Sequence, residues 1–533
     1  MPVEFPARLP DSVAVDGAAL SGRWLVDGAV RHTDGETAAV TSPVLLDDGA
    51  ALRAPVLGHV PMLTADEALE ALHAAQRAWD GGRGVWPSMR VGQRIGHVER
   101  FLDGLMKVRE VVVRLLMLEI AKSRKDAEAE FDRTVTYIRD TLEALKDVDR
   151  QNARFVIEDG FLGQIRRSPL GVVLCMGPFN YPLNETYATL IPALLMGNTV
   201  VSKVPRFGQL AHVPIFEAMI EAFPPGVVNV VFGDGATTIG PIMASGGVDV
   251  LAFIGTSRVA NLLKRQHPRP NRLRSITGLE AKNPAIVLPD ADLDLAVREC
   301  VSGALSYNGQ RCTALKLLLV HEEVAPRFVE ALADAVSRLT SGMPWEPGVA
   351  ITPLPEPGKP EWLRGMVDDA VAKGASVVNA AGGASHGTWF APAVVYPVVP
   401  SARLYAEEQF GPVVPVATFR DDAEIPAFLA ASHYGQQVSL FGADPRRVAS
   451  LVDAMVNQVS RINLNTQCRR GPDTFPFTGR KDSAEGTLSV SDALRAFSIR
   501  AAVVASASEA NKELVGEIVA RRHSAFLSTD FLF

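Results

Sequence analysis

Two series of short apolar runs, separated by helix-like stretches, constrain the fold more than any other feature of this chain. The first series occupies residues 170–176, 199–204, 227–232 and 250–253, and the second occupies 285–288, 317–320, 413–418 and 438–441. Strands that alternate with helices form parallel sheets covered by helices on both faces. The sequence therefore predicts an α/β fold with two open parallel-sheet domains, and we place their boundary within residues 276–284.

The segments that flank the two series have different patterns. Residues 64–79 and 91–147 have the spacing of long, charged, amphipathic helices, which we expect to pack against the first domain. Residues 154–167 alternate weakly around Asp159-Gly160, a dipeptide typical of hairpin turns. This hairpin is either an oligomerisation ribbon or an ordinary surface hairpin. Residues 506–533 predict a helical tail with an apolar end, which could dock on a neighbour or fray.

Charge and composition exclude several classes of protein. The net charge of -7 gives no basic field for nucleic acid or an anionic membrane. No apolar stretch approaches the roughly 18 residues of a membrane span, and the first residues lack the pattern of a secretory signal. Four cysteines make no disulfide framework, and no Cys or His pairs have zinc-site spacing. We expect a cytoplasmic protein with reduced thiols and no metal.

Cys312 is the leading candidate for a nucleophile. It lies in Gly309-Gln310-Arg311-Cys312-Thr313, between a helical stripe and a buried strand, beside a cation that favours the thiolate. A thiolate in such a loop can attack a carbonyl carbon. Cys468, which precedes Arg469-Arg470, is the alternative that the local sequence leaves open. Cys175 and Cys300 lie in apolar patterns, so we assign both to the core.

Five motifs follow one another along the chain. They are Gly177-Pro178-Phe179-Asn180-Tyr181-Pro182, Lys203-Val204-Pro205-Arg206, Phe253-Ile254-Gly255-Thr256, Gly309-Gln310-Arg311-Cys312 and Glu407-Glu408-Gln409-Phe410-Gly411-Pro412. In this order they resemble the motifs of the aldehyde dehydrogenase superfamily. Residues 180–182, 306–314 and 470–477 are most similar to those of its non-phosphorylating, NADP-dependent glyceraldehyde-3-phosphate dehydrogenases.

The resemblance implies an aldehyde dehydrogenase-like fold, with two open parallel-sheet α/β domains and a small β oligomerisation ribbon. It also implies a homo-oligomer, either a dimer or a tetramer. The implied division is residues 1–153 and 169–277 for the dinucleotide-binding domain, 278–483 for the catalytic domain, 154–168 and 484–505 for the ribbon, and 506–533 for the tail.

The resemblance also implies catalytic roles. Cys312 would attack the aldehyde, and the nascent oxyanion would be stabilised by the Asn180 amide and the Cys312 backbone N–H. Hydride would then pass to a nicotinamide, and water would hydrolyse the remaining thioester.

The same likeness implies residues for the cofactor and for a phosphorylated aldehyde. NAD-preferring relatives commonly carry a glutamate where this chain has Arg206, and a guanidinium there would attract a 2′-phosphate. We therefore expect NADP, with NAD as the alternative. The implied cofactor-binding residues are Phe179, Lys203, Arg206, Gly233, Thr256, Glu408 and Phe410. The implied substrate-binding residues are Arg133, Tyr181, Arg311 and Arg470.

One position departs from the family pattern. Relatives carry a glutamate that activates the hydrolytic water four positions before a motif lysine, and this chain has Gly278 there. Glu280 is displaced by two residues, about 6.5 Å along an extended strand. Glu280 is our candidate base, and Glu407 or Glu408 could replace it.

The resulting hypothesis is irreversible, NADP-dependent oxidation of glyceraldehyde 3-phosphate to 3-phosphoglycerate through a cysteine thiohemiacetal and thioester. Two alternatives stay open. One is a dehydrogenase of another small aldehyde of the semialdehyde type. The other is a hydrolysis-impaired protein that binds NADP or acyl groups.

Overall fold

The computed structural model describes residues 3–531. Residues 532–533, which belong to the apolar end predicted for the tail, lie outside that range. The α-helices are Gly17–Leu20, Ala65–Trp79, Val85–Ser88, Val91–Lys107, Arg109–Glu119, Arg124–Asn152, Asn184–Leu195, Phe216–Ala222, Gly235–Ala244, Ser257–Gln266, Leu293–Leu305, Ala325–Ser337, Lys359–Ala372, Arg403–Ala406, Glu424–Ala431, Pro445–Met455, Val490–Ala496 and Glu509–Ala520.

The first series of apolar runs forms the parallel core of an eight-stranded sheet, as predicted. Its five parallel strands are β1 (Val172–Met176), β2 (Thr199–Lys203), β3 (Val228–Val231), β4 (Val250–Ile254) and β5 (Arg274–Gly278). They lie in the order β3-β2-β1-β4-β5, and antiparallel strands extend both edges: Arg23–Val26 and Ala29–His32 beside β3, and Ala484–Glu485 beside β5.

The second series forms a separate seven-stranded sheet, which confirms the prediction of a second α/β sheet. Its strands are β6 (Asn283–Val287), β7 (Leu315–His321), β8 (Ala393–Tyr396), β9 (Val413–Phe419), β10 (Gln437–Phe441) and β11 (Arg461–Leu464), with Ser376–Val377 at one edge. The order is Ser376–Val377, β8, β9, β7, β6, β10, β11. Residues of β6 and β7 are buried on both faces, which explains why these runs are continuously apolar.

The two sheets present opposite ends to the same region. In the first sheet, the segments that follow the carboxyl ends of β1, β2 and β4 carry the sequence motifs. In the second sheet, the motifs precede the amino ends of β7 and β9. The rule that ligands bind beyond the carboxyl ends of parallel strands therefore applies to the first sheet alone.

The N-terminal helical stretch differs from its prediction. Residues 91–147 form three helices rather than one, and the third runs on to Asn152. One break arises because Ala121 has a positive φ of 50°, and the Ser123 side chain then accepts a hydrogen bond from the Asp126 amide to begin the next helix. We call that third helix α1 (Arg124–Asn152).

The hairpin prediction is confirmed. Phe155–Glu158 and Phe161–Pro169 pair antiparallel, and Asp159 and Gly160 adopt positive φ in the two-residue turn. Ser498–Ser506 adds a third strand. Within residues 3–531, no helix combines the length and apolarity that crossing a membrane requires, and no cluster of three His, Cys, Asp or Glu has a metal-binding arrangement.

Candidate active site

A cavity of about 1100 Å³ lies where the two sheets face each other. It brings together all but one of the residues predicted for the site. Those that line it are Arg133, Phe179, Asn180, Tyr181, Lys203, Arg206, Thr256, Glu280, Arg311, Cys312, Glu408, Phe410 and Arg470. Gly233 is not among the lining residues. Its φ is +98°, and a Cβ there would lie 3.1 Å from the Leu63 backbone nitrogen, so local packing accounts for this glycine.

The loop that carries Cys312 is fixed by its own backbone. After helix Leu293–Leu305, Tyr307, Asn308 and Gly309 all have positive φ, a conformation costly for the first two residues. The buried Asn308 side chain holds this turn, because it donates to the Thr352 carbonyl oxygen at 3.1 Å and accepts from the Thr352 amide at 3.0 Å. These bonds fix the conformation of the turn, and the residues that follow it place Cys312 at the cavity.

Two further donors hold the backbone of Cys312 itself. Asn283 Nδ2 and Lys316 Nζ each donate to the Cys312 carbonyl oxygen at 2.8 Å. Asn283 begins β6 and Lys316 is the second residue of β7, so the backbone of Cys312 is tied to two strands of the second sheet.

The thiol is not ionised by its surroundings alone. Burial raises the pKa of the Cys312 thiol above its ordinary value; Lys316 opposes that shift, Glu408 adds to it and Arg311 opposes it. The expectation that Arg311 alone favours the thiolate is incomplete, because Lys316 lowers the pKa of the thiol more than Arg311 does. The Arg311 guanidinium donates instead to the Ser302 and Gly303 carbonyl oxygens, at 3.2 and 2.8 Å.

The other three cysteines lie in the core, and all of them belong to the described part of the chain. Cys175 and Cys300 are fully buried, as predicted. The rival candidate Cys468 is also fully buried, with its Sγ 3.4 Å from Ser439 Oγ, and burial raises its pKa to about 11. Cys312 alone among the four is partly exposed and lines the cavity.

Asn180 lies beside the cysteine loop and is itself held from behind. Its side-chain Nδ2 donates to the Gln310 carbonyl oxygen at 2.7 Å, and its backbone carbonyl oxygen accepts from Lys122 Nζ at 2.8 Å. Lys122 forms a fully buried ion pair with Glu130, whose other oxygen accepts from the amide of Leu183 at 3.0 Å. The sequence analysis missed this pair, although Glu130 on the buried stripe of α1 was a detectable signal.

The cofactor end of the cavity offers complementary groups for a dinucleotide. Lys203 is the last residue of β2 and lines the cavity wall. Burial lowers the pKa of its side chain to about 8, and Asp234 opposes this shift. The helix Ser257–Gln266, here α2, begins after the cap Thr256. Its first amide, Ser257 N–H, donates to Glu280 Oε2 at 2.7 Å. An anionic oxygen is therefore accommodated at this helix terminus, which fits the binding of a pyrophosphate.

Aromatic rings flank the cofactor end. Phe410 and Phe179 make an edge-to-face contact with ring centroids 5.9 Å apart, and Phe179 makes another with Phe207 at 5.7 Å. Arg206 is exposed and lies over the Phe207 ring at 5.4 Å. Volume, cations and aromatic walls all fit a nicotinamide dinucleotide.

The substrate end holds three guanidinium groups, two of which are already paired. Arg133 forms a two-pronged contact with Asp473 at 3.1 and 2.8 Å. Buried Arg470 forms an ion pair with Glu185, and its Nε lies 3.3 Å from Asp473 Oδ1. Only Arg311 has no carboxylate partner among the residues that the structure describes. The predictions for Arg133 and Arg470 missed both acidic partners.

Tyr181 completes this end of the cavity. Lys122 Nζ lies 3.5 Å from its ring centroid, a cation–π contact, and burial raises the pKa of Tyr181 to about 12. The phenol therefore stays a neutral hydrogen-bond donor at physiological pH.

A network that contains two lysines and the Glu408 carboxylate lies beside Cys312. Lys316 Nζ, 1% exposed, contacts Glu408 Oε1 at 2.6 Å, and the same oxygen accepts from the Ala281 amide at 3.1 Å. Lys282 Nζ donates to the Glu407 carbonyl oxygen and to Gln409 Oε1 at 2.6 and 2.8 Å. The sequence analysis missed Lys316, although a lysine within an otherwise apolar strand run was a signal.

Comparison with known proteins agrees with this geometry. The sequence model of the aldehyde dehydrogenase family matches residues 46–503. An NADP-dependent glyceraldehyde-3-phosphate dehydrogenase from Streptococcus equinus is 32% identical over 450 residues, covering 83% of this chain and 91% of that protein. A non-phosphorylating aspartate-semialdehyde dehydrogenase from Halomonas elongata is 28% identical over 464 residues, covering 86% and 91%.

A solved structure is similar throughout. The crystal structure of NADP-dependent glyceraldehyde-3-phosphate dehydrogenase from Bacillus halodurans C-125, complexed with NADP, superimposes with a TM-score of 0.83 at 30% identity. The match covers 92% of this chain and 100% of that one.

Proposed function

The chain belongs to the aldehyde dehydrogenase family, and from that premise we propose that it oxidises glyceraldehyde 3-phosphate to 3-phosphoglycerate with NADP. The observation that carries the proposal is the convergence of Arg133, Arg311 and Arg470 with Cys312 on one cavity. Three guanidinium groups in an acidic protein form a local site for an anionic aldehyde.

The chain's own residues supply the acylation chemistry. Cys312 first loses its proton to solvent, and the thiolate attacks the aldehyde carbon. The Asn180 amide and the Cys312 backbone N–H donate to the oxygen that becomes anionic. The Asn180 side-chain amide already donates to the Gln310 carbonyl oxygen, and Lys122 holds the Asn180 backbone carbonyl, so the amide needs little reorganisation. A bound nicotinamide cofactor supplies the hydride acceptor. A thioester then remains on Cys312.

Arg206 supports the choice of NADP over NAD. It is exposed at the cavity rim, and no carboxylate of residues 3–531 forms an ion pair with it. A guanidinium with free donors can bind a 2′-phosphate through charge-assisted hydrogen bonds. Measuring kcat/KM for both cofactors with Arg206→Gln tests this choice, and a loss confined to NADP is expected.

The pairing of the arginines favours a second candidate. Three guanidinium groups face two carboxylates, Glu185 and Asp473, so one positive charge remains at the substrate end. A single uncompensated cation suits a monoanionic aldehyde, such as a carboxylate-bearing semialdehyde, as well as it suits a phosphate.

The two candidates are separated by an assay with NADP and no inorganic phosphate, run with glyceraldehyde 3-phosphate and with aspartate semialdehyde. Arg133→Gln should lower kcat/KM selectively for the phosphorylated aldehyde. Arg109→Gln is the matched control, because Arg109 makes an equivalent pair with Asp132 at 2.8 Å outside the cavity. NADPH formation with the semialdehyde alone would reject the first candidate.

The three-stranded sheet suggests a homo-oligomer, either a dimer or a tetramer. Large apolar side chains are exposed on its strands, a pattern associated with interaction surfaces. They are Val156, Ile157, Phe161, Ile165, Ile499, Val503 and Val504. Sedimentation of the wild type and of Val504→Glu tests this assembly, since only the variant should dissociate. A cytoplasmic location stays a prediction.

A further inference from the structure

The missing carboxylate at position 278 leaves hydrolysis of the thioester without its expected base. Packing does not force the glycine there. A Cβ on Gly278 would lie 3.5 Å from Ile254 and 3.8 Å from Leu488, which are ordinary contacts. A proton acceptor for hydrolysis would have to come from another residue.

Five glutamates line the cavity, and three of them, Glu185, Glu356 and Glu407, form ion pairs with Arg470, Lys359 and Arg403. None of those three cations hydrogen-bonds to Cys312 among the described residues, so Glu280 and Glu408 remain as candidates.

Glu280 is directed to the cofactor end. Its Oε2 accepts from the Ser257 amide at 2.7 Å, at the first turn of α2. A carboxylate at this position occupies the helix terminus that fits a pyrophosphate. None of its hydrogen bonds within residues 3–531 leads to Cys312.

Glu408 is connected to the nucleophile through one lysine. Its Oε1 contacts Lys316 Nζ at 2.6 Å, and the same ammonium donates to the Cys312 carbonyl oxygen at 2.8 Å. The Ala281 amide is a second donor to Oε1, at 3.1 Å. Its Oε2 accepts no hydrogen bond from the described residues, and the side chain is 12% exposed at the cavity.

We propose that Glu408, anchored by Lys316, accepts the proton of the water that hydrolyses the thioester on Cys312. The inference rests on the thioester chemistry of the proposed function and not on the identity of the aldehyde. Lys316 is a positioning residue in this account. Its charge holds one carboxylate oxygen of Glu408 and leaves the other free.

The step balances without an oxidant or a reductant. The water oxygen attacks the thioester carbon while one of its protons passes to Glu408 Oε2. The carbon–sulfur bond then breaks, its electron pair stays on the Cys312 sulfur, and the acid leaves. The proton on Glu408 passes to solvent, which restores the carboxylate for the next turnover.

Glu408 is also expected to contact the cofactor, so its test must exclude the cofactor. An activated ester, p-nitrophenyl acetate, acylates a cysteine nucleophile without aldehyde or NADP, and water then removes the acetyl group. Mass spectrometry of the intact protein after quenching gives the acylated fraction, and the steady-state rate of nitrophenol release gives the hydrolysis rate.

Glu408→Gln is expected to acylate fully and then to hydrolyse about a hundredfold more slowly, within the range of general-base effects. Hydroxylamine, which needs no base, should restore its turnover. Gly278→Glu in the Glu408→Gln background should also restore hydrolysis. The matched control is Glu322→Gln, the same change at an exposed pair with Arg420.

Glu408→Asp keeps the charge that buried Lys316 requires, and it covers the case in which the glutamine variant fails to fold. It should accumulate the acyl enzyme and hydrolyse about tenfold more slowly, because the carboxylate is withdrawn by one methylene. Wild-type hydrolysis in folded Glu408→Gln, or a stalled acyl enzyme in Glu280→Gln or Glu407→Gln instead, would overturn the assignment. Absence of acylation in the wild type would overturn the proposed function as well.

Discussion

The two halves of the catalytic cavity differ in how firmly the fold prepares them. On the acylating side, Asn180 and Cys312 are held by donors from several elements: Lys122 on the Asn180 backbone carbonyl, and Asn283 and Lys316 on the cysteine carbonyl. On the deacylating side, position 278 has no side chain, and Glu280 is bonded to a helix terminus. In the proposed mechanism, the scaffold thus prepares thioester formation, whereas hydrolysis of the thioester depends on Glu408, which the family resemblance assigns to the cofactor.

The largest effect should come from the acylating side. Asn180→Ala removes an oxyanion donor and should lower kcat by about a hundred- to a thousandfold. Quenched single-turnover samples should show no thioester, because the block precedes acylation. Accumulation of acyl enzyme in this variant would contradict the assignment of Asn180 to the acylating side, because the block would then lie at hydrolysis.

A second change adds the missing group to the deacylating side. Gly278→Glu should raise the rate of acyl-enzyme hydrolysis about tenfold in the otherwise native chain, since a carboxylate there is free of Lys316. Gly278→Gln is the control for size. Equal effects of the two substitutions would show that shape, rather than a base, limits hydrolysis.

A third change acts on substrate binding and should leave hydrolysis alone. Glu185→Gln removes a negative charge beside Arg470, so KM for glyceraldehyde 3-phosphate should fall several-fold, about 1 kcal/mol for a buried charge contact. The acyl-enzyme hydrolysis rate should match the wild type in quenched-flow measurements. A raised KM would mean that Glu185 positions Arg470 for the phosphate instead of competing with it.

The smallest effect should appear where Lys316 joins the two halves. Burial raises the pKa of Cys312 and Lys316 lowers it, so Lys316→Met should raise this pKa further. Alkylation of Cys312 by iodoacetamide should rise with pH in both proteins, with the variant curve displaced to higher pH and several-fold slower at neutral pH. A curve displaced to lower pH would contradict this expectation. It would mean that Glu408, once released from Lys316, no longer raises the pKa of Cys312.

The sequence predicted the two sheets because their strands are continuously apolar and separated by helical periodicity. It also placed most cavity residues, because the motifs follow or precede those strands directly. It joined residues 91–147 into one helix, since apolar spacing alone does not reveal a positive φ at Ala121. That break carries Lys122, whose contact with Asn180 was therefore missed as well.

Partners distant in sequence were the second kind of miss. Arg470 and Glu185 are 285 positions apart, and Arg133 and Asp473 are 340 apart. A single sequence shows each arginine as a free cation, and only the fold shows that two of them are compensated. The same holds for Lys316, which lies on β7, and Glu408, which lies in the loop that precedes β9.

The nucleophile is tested most directly by mapping the covalent adduct. Wild-type protein mixed with NADP and glyceraldehyde 3-phosphate should be quenched within one turnover, digested and sequenced by mass spectrometry. The expected result is a 3-phosphoglyceroyl thioester on Cys312, formed together with one equivalent of NADPH. An adduct on Cys468, or NADPH formation with an unmodified Cys312 in every quenched sample, would contradict the account.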